Sequence, residues 1–235
     1  MTLFDSFLEL SPPIRALLAN FAMLLETALL ELACWREVKK FYTQNPELYH
    51  SALRTNIVSH FSPLSIAMYT LIANYNVDET PHGMFQRALK FVGMIWFQGL
   101  FYYYAHRAFH KVKGLYWIHS YHHKFKDTVL PSATNAVSIW EYTIAYLTPF
   151  YLATWMMKPD RATVLVAMQV VHLGALLAHF PPFLEVKLPW FLLSASEHKR
   201  HHIKLNTEFG GPFFHVDRVM WSSLSAMGGR STKSE

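Results

Sequence analysis

Four runs of the chain are long, apolar and almost free of charge: residues 57–77, 91–105, 129–157, where Glu141 is the one charged side chain, and 162–184. A helix needs about 20 such residues to cross the hydrocarbon core of a bilayer. The pattern predicts an all-α fold, a multi-pass transmembrane bundle of about four spans. Pro131 and Pro149 fall inside the third run, and the second reaches spanning length only by borrowing turns around Arg87 and Lys90. Residues 14–33 are also apolar but contain Arg15, Glu26 and Glu31, which suits an interfacial helix as well as a span.

Basic residues orient these runs. Segments 35–56, 106–127 and 185 onward carry clusters that include Lys39 and Arg54, Arg107 and Lys111, and Lys199 and Lys204. The turn at 78–83 has no Lys or Arg, and the turn near Pro159 sets Lys158 and Arg161 against Asp160. By the positive-inside rule the three rich segments share the cytoplasmic side, an arrangement met by two helical hairpins, 57–105 and 129–184. The expected molecule is one membrane-embedded unit. Residues 1–90 supply membrane or interfacial helices, 91–225 a catalytic region with a cytoplasmic histidine-rich helical cap, and 226–235 a polar tail.

Composition narrows the function. Of 235 residues, 52% are hydrophobic and 16% charged, which excludes a disordered chain and a nucleic-acid-binding tail. The net charge of +5 suits loops facing an anionic leaflet. A lone cysteine, Cys34, excludes a disulfide framework and cysteine-based zinc or iron–sulfur sites. The N-terminus, with Asp5 and Glu9 and no base before Arg15, lacks the basic start of a secretory signal.

Fourteen histidines are the anomaly. Eight fall in three clusters on the basic segments: His106 and His110; His119, His122 and His123; His198, His201 and His202. On a helix, positions i, i+3 and i+4 share one face. Gly114 can turn the chain between the first two clusters, and the second hairpin returns the third to the same side. Eight imidazoles exceed the three or four that one zinc takes, so a two-metal centre follows more naturally. Imidazole suits zinc, copper, iron and nickel, and ligand type alone leaves the metal open. The plainer alternative is a set of interfacial histidines that bind anionic headgroups when protonated; three clusters at ligand spacing on one side argue against it.

Residues 101–110 (FYYYAHRAFH), 115–124 (LYWIHSYHHK) and 201–206 (HHIKLN) followed by Phe209-Gly-Gly resemble the fatty acid hydroxylase and sterol desaturase superfamily, over slightly more than half the chain. The resemblance implies an integral membrane non-haem di-iron enzyme that uses dioxygen to hydroxylate or desaturate a lipid, sterol or other hydrophobic substrate. It implies two iron ions, with zinc as a possible substitute, held by the three histidine boxes. His179, in His-Phe-Pro-Pro, joins the ligand set by the same resemblance, with His172 as its competitor. His215 is a further outer-ligand candidate, and His50, His60 and His82 read as structural.

The resemblance also implies a cytochrome b5-type or reductase electron donor, for which Arg107, Lys111 and Lys113 offer a docking surface, and an endoplasmic reticulum location if the source is eukaryotic. Two positions depart from the family pattern. Gln98 and Gly99 stand where an acidic residue is common before the first box, and residues 138–141 (SIWE) lack the histidine and proline of a His-Pro-x-Glu. A ligand missing there would be replaced by Glu141, His172 or water. The rival readings are a metal transporter, whose ligands would lie inside the spans, and a non-catalytic, metal-stabilised lipid-binding membrane protein.

Overall fold

The computed structural model describes residues 3–80, 82–126 and 128–220. Among these the chain is helical, with one isolated β-type pairing between Leu192 and Phe214. Short α1 (Leu3–Glu9) leads into α2 (Pro12–Ala33), α3 (Trp35–Gln44), α4 (Pro46–Phe61) and α5 (Pro63–Tyr75). Helix α6 (Met84–Lys111) has 28 residues and, at 1.5 Å per residue, is about 42 Å long. The second half holds α7 (Tyr116–His119), α8 (Ile139–Glu141), α9 (Thr148–Met157), α10 (Arg161–Ala178) and α11 (Ala195–Lys204). The expected polar tail at 226–235 lies outside the described residues.

Local chemistry sets the boundaries. Proline occupies the first turn of α2, α4, α5 and α9, where a missing N–H costs nothing. The run at 57–77 is therefore two helices: Ser62 caps α5 by accepting from the Ser65 N–H, and Pro63 starts it. Between α8 and α9 the helix widens into a π-helical stretch, Tyr142–Leu147. Pro149 lies four residues beyond Ala145 and cannot donate back to it, which accounts for the local loosening. The run at 129–157 is thus irregular until Ile139, and the run at 162–184 leaves its helix after Ala178.

Among the described residues, two helices are long and apolar enough to cross a membrane by length and composition, Pro12–Ala33 and Arg161–Ala178. The first is the segment whose charges left it open between span and interface. Arg15 is buried and donates to the Leu8 and Leu10 carbonyls and to Asn74 Oδ1. Glu31 accepts from the Tyr49 hydroxyl and the Ser132 N–H. With those charges turned inward, Leu18, Phe21, Leu25, Leu29 and Leu32 form an outward stripe at three- and four-residue spacing, each at least 44% exposed.

The core packs α2, α5, α6, α9 and α10 around Met23, Ile72, Met94, Phe150, Val164 and Met168. The chain between α5 and α6 meets the turn before α10 at one end: the Asp78 N–H donates to the Pro159 carbonyl, and His82 lies 3.2 Å from Asp78 and 3.3 Å from Asp160. Both hairpin tips therefore sit together. The opposite ends of α6 and α10 carry the histidines.

Candidate metal centre

His106 and His110 lie one turn apart on the last turns of α6. Gly114, with φ +90°, reverses the chain in a conformation that disfavours a side chain, and α7 with the 3-10 turn His122–Phe125 then presents His119, His122 and His123. Helix α11 starts on a capping box: Ser194 Oγ accepts from the Glu197 N–H while Glu197 accepts from the Ser194 N–H. Its inner face carries His198, His201 and His202, and His179 stands at the C-terminal cap of α10.

All nine histidines converge, in two adjoining sets. His106, His110, His119, His123 and His201 form one; His122, His179, His198 and His202 form the other. Within each set the facing ring nitrogens lie within 4.8 Å of one another. The neighbours His122 and His123 go to different sets, as do His201 and His202. The sets touch where the rings of His123 and His202 lie 4.8 Å apart, centre to centre.

The outer hydrogen bonds decide what these nitrogens offer. His106 Nδ1–H donates to the Phe209 carbonyl (2.9 Å), His119 Nδ1–H to Glu141 (2.5 Å), His201 Nδ1–H to the Thr207 carbonyl (2.7 Å) and His179 Nδ1–H to the Ala175 carbonyl (3.0 Å). Each acceptor fixes the proton on Nδ1 and leaves Nε2 as a bare lone pair. The Nε2 atoms of His106 and His119 nevertheless face each other at 2.9 Å with no proton to share. His201 Nε2 is buried and bonds to no protein group. Burial, and then the neighbouring imidazoles, push His106, His119, His122, His198 and His202 well below the ordinary imidazole range, so protonation does not relieve the opposition.

A cation does relieve it. Two nitrogens about 2.1 Å from one ion and roughly at right angles would be about 3.0 Å apart. The observed Nε2 separations are 2.9 Å (His106–His119 and His119–His123), 3.1 Å (His110–His123), 3.0 Å (His179–His198) and 3.2 Å (His198–His202). The residues present fit a pair of metal ions held by neutral imidazoles.

Other candidates fall outside the sets. His172 donates to Glu26 (2.8 Å) and accepts from Asn135, which also donates to His60 (3.2 Å each); both histidines are satisfied in a separate buried network. Glu141 acts on His119 from outside and enters neither set. His215 lies near Glu197 and Glu208, but Arg218 pairs with Glu197 and Arg200 with Glu208, which neutralises those carboxylates. His82 sits at the hairpin tips, and His50 packs edge-on against Tyr42. The Phe209 and Thr207 carbonyls are partners that no side-chain pattern could reveal.

An all-helical protein with two adjoining candidate metal cages, built solely from histidine, is a narrow class. The chain belongs to the fatty acid hydroxylase family, whose sequence model matches residues 91–222, a stretch that contains all nine histidines. Cholesterol 25-hydroxylase-like proteins of Caenorhabditis briggsae and Caenorhabditis elegans are each 30% identical to it, over 128 and 130 residues. Each alignment covers 51% of this chain and 40% of the relative, so the match spans less than half the length of those proteins. No solved structure matches.

Proposed function

We propose that this chain is a membrane-embedded, dioxygen-dependent di-iron oxidoreductase that hydroxylates or desaturates a lipid, sterol or other hydrophobic molecule. The observation that supports the reading is the convergence of imidazole nitrogens in two adjoining sets, with the protons of His106, His119, His201 and His179 held on Nδ1 from outside. Bound iron would supply the capacity to activate dioxygen and oxidise an unactivated C–H bond, with zinc as an inactive substitute. Membership of the fatty acid hydroxylase family supports the same chemistry.

The protein's own part is ligation, orientation and exclusion of water. The five-histidine and four-histidine sets would each hold one ion, and Glu141 and the Phe209, Thr207 and Ala175 carbonyls orient the rings of His119, His106, His201 and His179 respectively. An apolar cleft reaches His179 and His198 of the four-histidine set, where a target carbon would stop. On the other side Lys111 lies 5.4 Å over the Phe209 ring, which packs on His106, His110 and His201. Arg107 and Lys111 line an open groove there, and a cytochrome b5-type or reductase donor would dock on it. The outward stripe of α2 and the apolar α10 support membrane embedding; the bundle of about four spans, the cytoplasmic side for the histidines and, in a eukaryote, the endoplasmic reticulum are part of the proposal.

The test is iron quantification with oxygen uptake that requires both a reductant and a lipid, followed by mass analysis of lipid extracts. A gain of one oxygen identifies hydroxylation and a loss of two hydrogens desaturation. His122→Ala and His201→Ala, one from each set, should abolish turnover and lower the bound metal. Full activity in both variants would overturn the assignment.

A further inference from the structure

His179 and His198 face each other in the four-histidine set, their Nε2 atoms 3.0 Å apart. The chain that joins them leaves α10, runs outward from Pro181 to Phe191 and returns to start α11 at Ala195. Apart from the 3-10 turn Pro181–Phe183 it forms no regular helix. Its far end is pinned, because the Leu193 N–H donates to the Phe213 carbonyl and the His215 N–H to the Phe191 carbonyl (2.8 Å each). The segment is a fixed shelf beside the cage.

The side chains of the shelf suit water poorly, and its backbone suits hydrocarbon no better. Phe183, Val186, Leu188, Trp190 and Phe191 are each at least 36% exposed, and Glu185 and Lys187 are the only charges from 181 to 193. A contiguous apolar patch of that kind marks a contact with a membrane or with another protein. Among the described residues, the amides of Glu185, Lys187, Leu188, Trp190 and Phe191 donate to no protein group. The hydrocarbon core offers them no acceptor, and lipid-exposed irregular backbone does not enter it. The layer of headgroups and their water meets both demands, and tryptophan is enriched there. Continuity selects the bilayer as the partner, because the shelf begins three residues beyond the end of α10, a helix long and apolar enough to cross a membrane. Beneath the shelf a cavity of about 220 Å³ opens against α10, with Leu177, Phe183, Val186, Leu188 and Phe213 in its wall and no polar side chain. Water finds no partners among those side chains, whereas the end of an acyl chain needs none.

We propose that residues 181–191 are an interfacial anchor, which rests in the headgroup layer of the leaflet on the histidine side and fixes the depth of the four-histidine set in the bilayer. Leu188 and Trp190 point toward the acyl chains, the free amides meet headgroup oxygens and water, and Lys187 extends its stem past Val186 and Leu188 to reach the phosphates. Both ends of the shelf run into the cage, one at His179 and the other through α11 to His198. The cage therefore sits at the boundary between the apolar and the aqueous phase, where a molecule dissolved in the bilayer and one dissolved in water can both approach it. The anchor rests on the membrane embedding proposed above and is independent of the reaction and of the metal.

The experiment measures depth with spin labels on the full chain, reconstituted into vesicles of palmitoyl-oleoyl phosphatidylcholine. Leu188→Cys and Trp190→Cys carry the label on the shelf, Leu173→Cys on the exposed face of α10 and Lys204→Cys at the end of α11, each in a Cys34→Ala background. Collisions with dissolved oxygen report hydrocarbon, and collisions with a water-soluble nickel chelate report water. The labels at 188 and 190 should lie about 5–10 Å into the headgroup and acyl boundary, between the deep label at 173 and the aqueous one at 204. Adding Leu188→Asp should shift the label at 190 toward water. Shelf labels as open to the chelate as that at 204, as deep as that at 173, or screened from both reagents by a protein partner would overturn the anchor while the label at 173 remains deep. A label at 173 that is itself open to the chelate would overturn the membrane embedding, and the anchor with it.

Discussion

A histidine ring is a reliable metal ligand only if its proton is kept on the far nitrogen, and Glu141 does this for His119 at 2.5 Å with both groups 1% exposed. Replacing Glu141 by leucine removes that acceptor and strands a buried N–H. The metal affinity should fall by about 10- to 100-fold, measured by competition with a chelator, while Glu141→Gln, which still accepts, should lose less. Protons compete with metal for the same nitrogens. Burial, with the neighbouring His201, lowers His110 to about 3 and His179 to about 4, against about 6.5 in an unfolded chain. Below about pH 6.5 the unfolded chain binds protons that the folded one refuses, so stability is present above that value and lost as pH falls toward 4 and then 3. Thermal melts of metal-free protein between about pH 7 and about pH 5 should show the decline, and a flat profile would count against neutral rings.

The elements that carry the boxes are unequal. α6 and α11 are regular helices, whereas the middle box spans a four-residue helix and a 3-10 turn and depends on its neighbours for shape. The segment after α11 is held by close backbone packing. A Cβ on Gly210 would lie 2.8 Å from the Phe214 carbonyl oxygen and 2.9 Å from the Val216 nitrogen. Gly210→Ala should therefore push the adjacent Phe209 carbonyl away from His106, cost about 1–3 kcal/mol in denaturant unfolding and reduce bound metal. The spacing of the boxes made eight of the nine histidines legible, because residue identity and i, i+3, i+4 geometry suffice to name a face; His179 stands in no such pattern and came from the family resemblance alone. Their division into five and four was hidden, since it depends on how α6, α10 and α11 converge. The break at Ser62-Pro63 was masked by the apolar residues on both sides of it. His172 competed with His179 on sequence because Glu26, its partner, is 146 residues away.

At the scale of the whole molecule, the hairpin tips and the histidines occupy opposite ends of α6 and α10, as the run of basic and non-basic turns implies. Single cysteines placed at Asp78 and at Lys204, in a chain whose buried Cys34 is replaced by alanine, should react with a membrane-impermeant thiol reagent from opposite sides of sealed vesicles. Labelling of both from one side would contradict the proposed orientation of the bundle. The all-helical class was legible from the long apolar runs. The cleft beside His179 and His198 was not, because it is bounded by single residues on several elements.

The split of His122 from His123 and of His201 from His202 makes the wall between the two cages, at those places, only one peptide unit thick. Consecutive Cα atoms are held about 3.8 Å apart by covalent bonds, far stiffer than any packing contact. A backbone shift at either pair therefore moves one ring of each compartment together, which couples the two mechanically at those places.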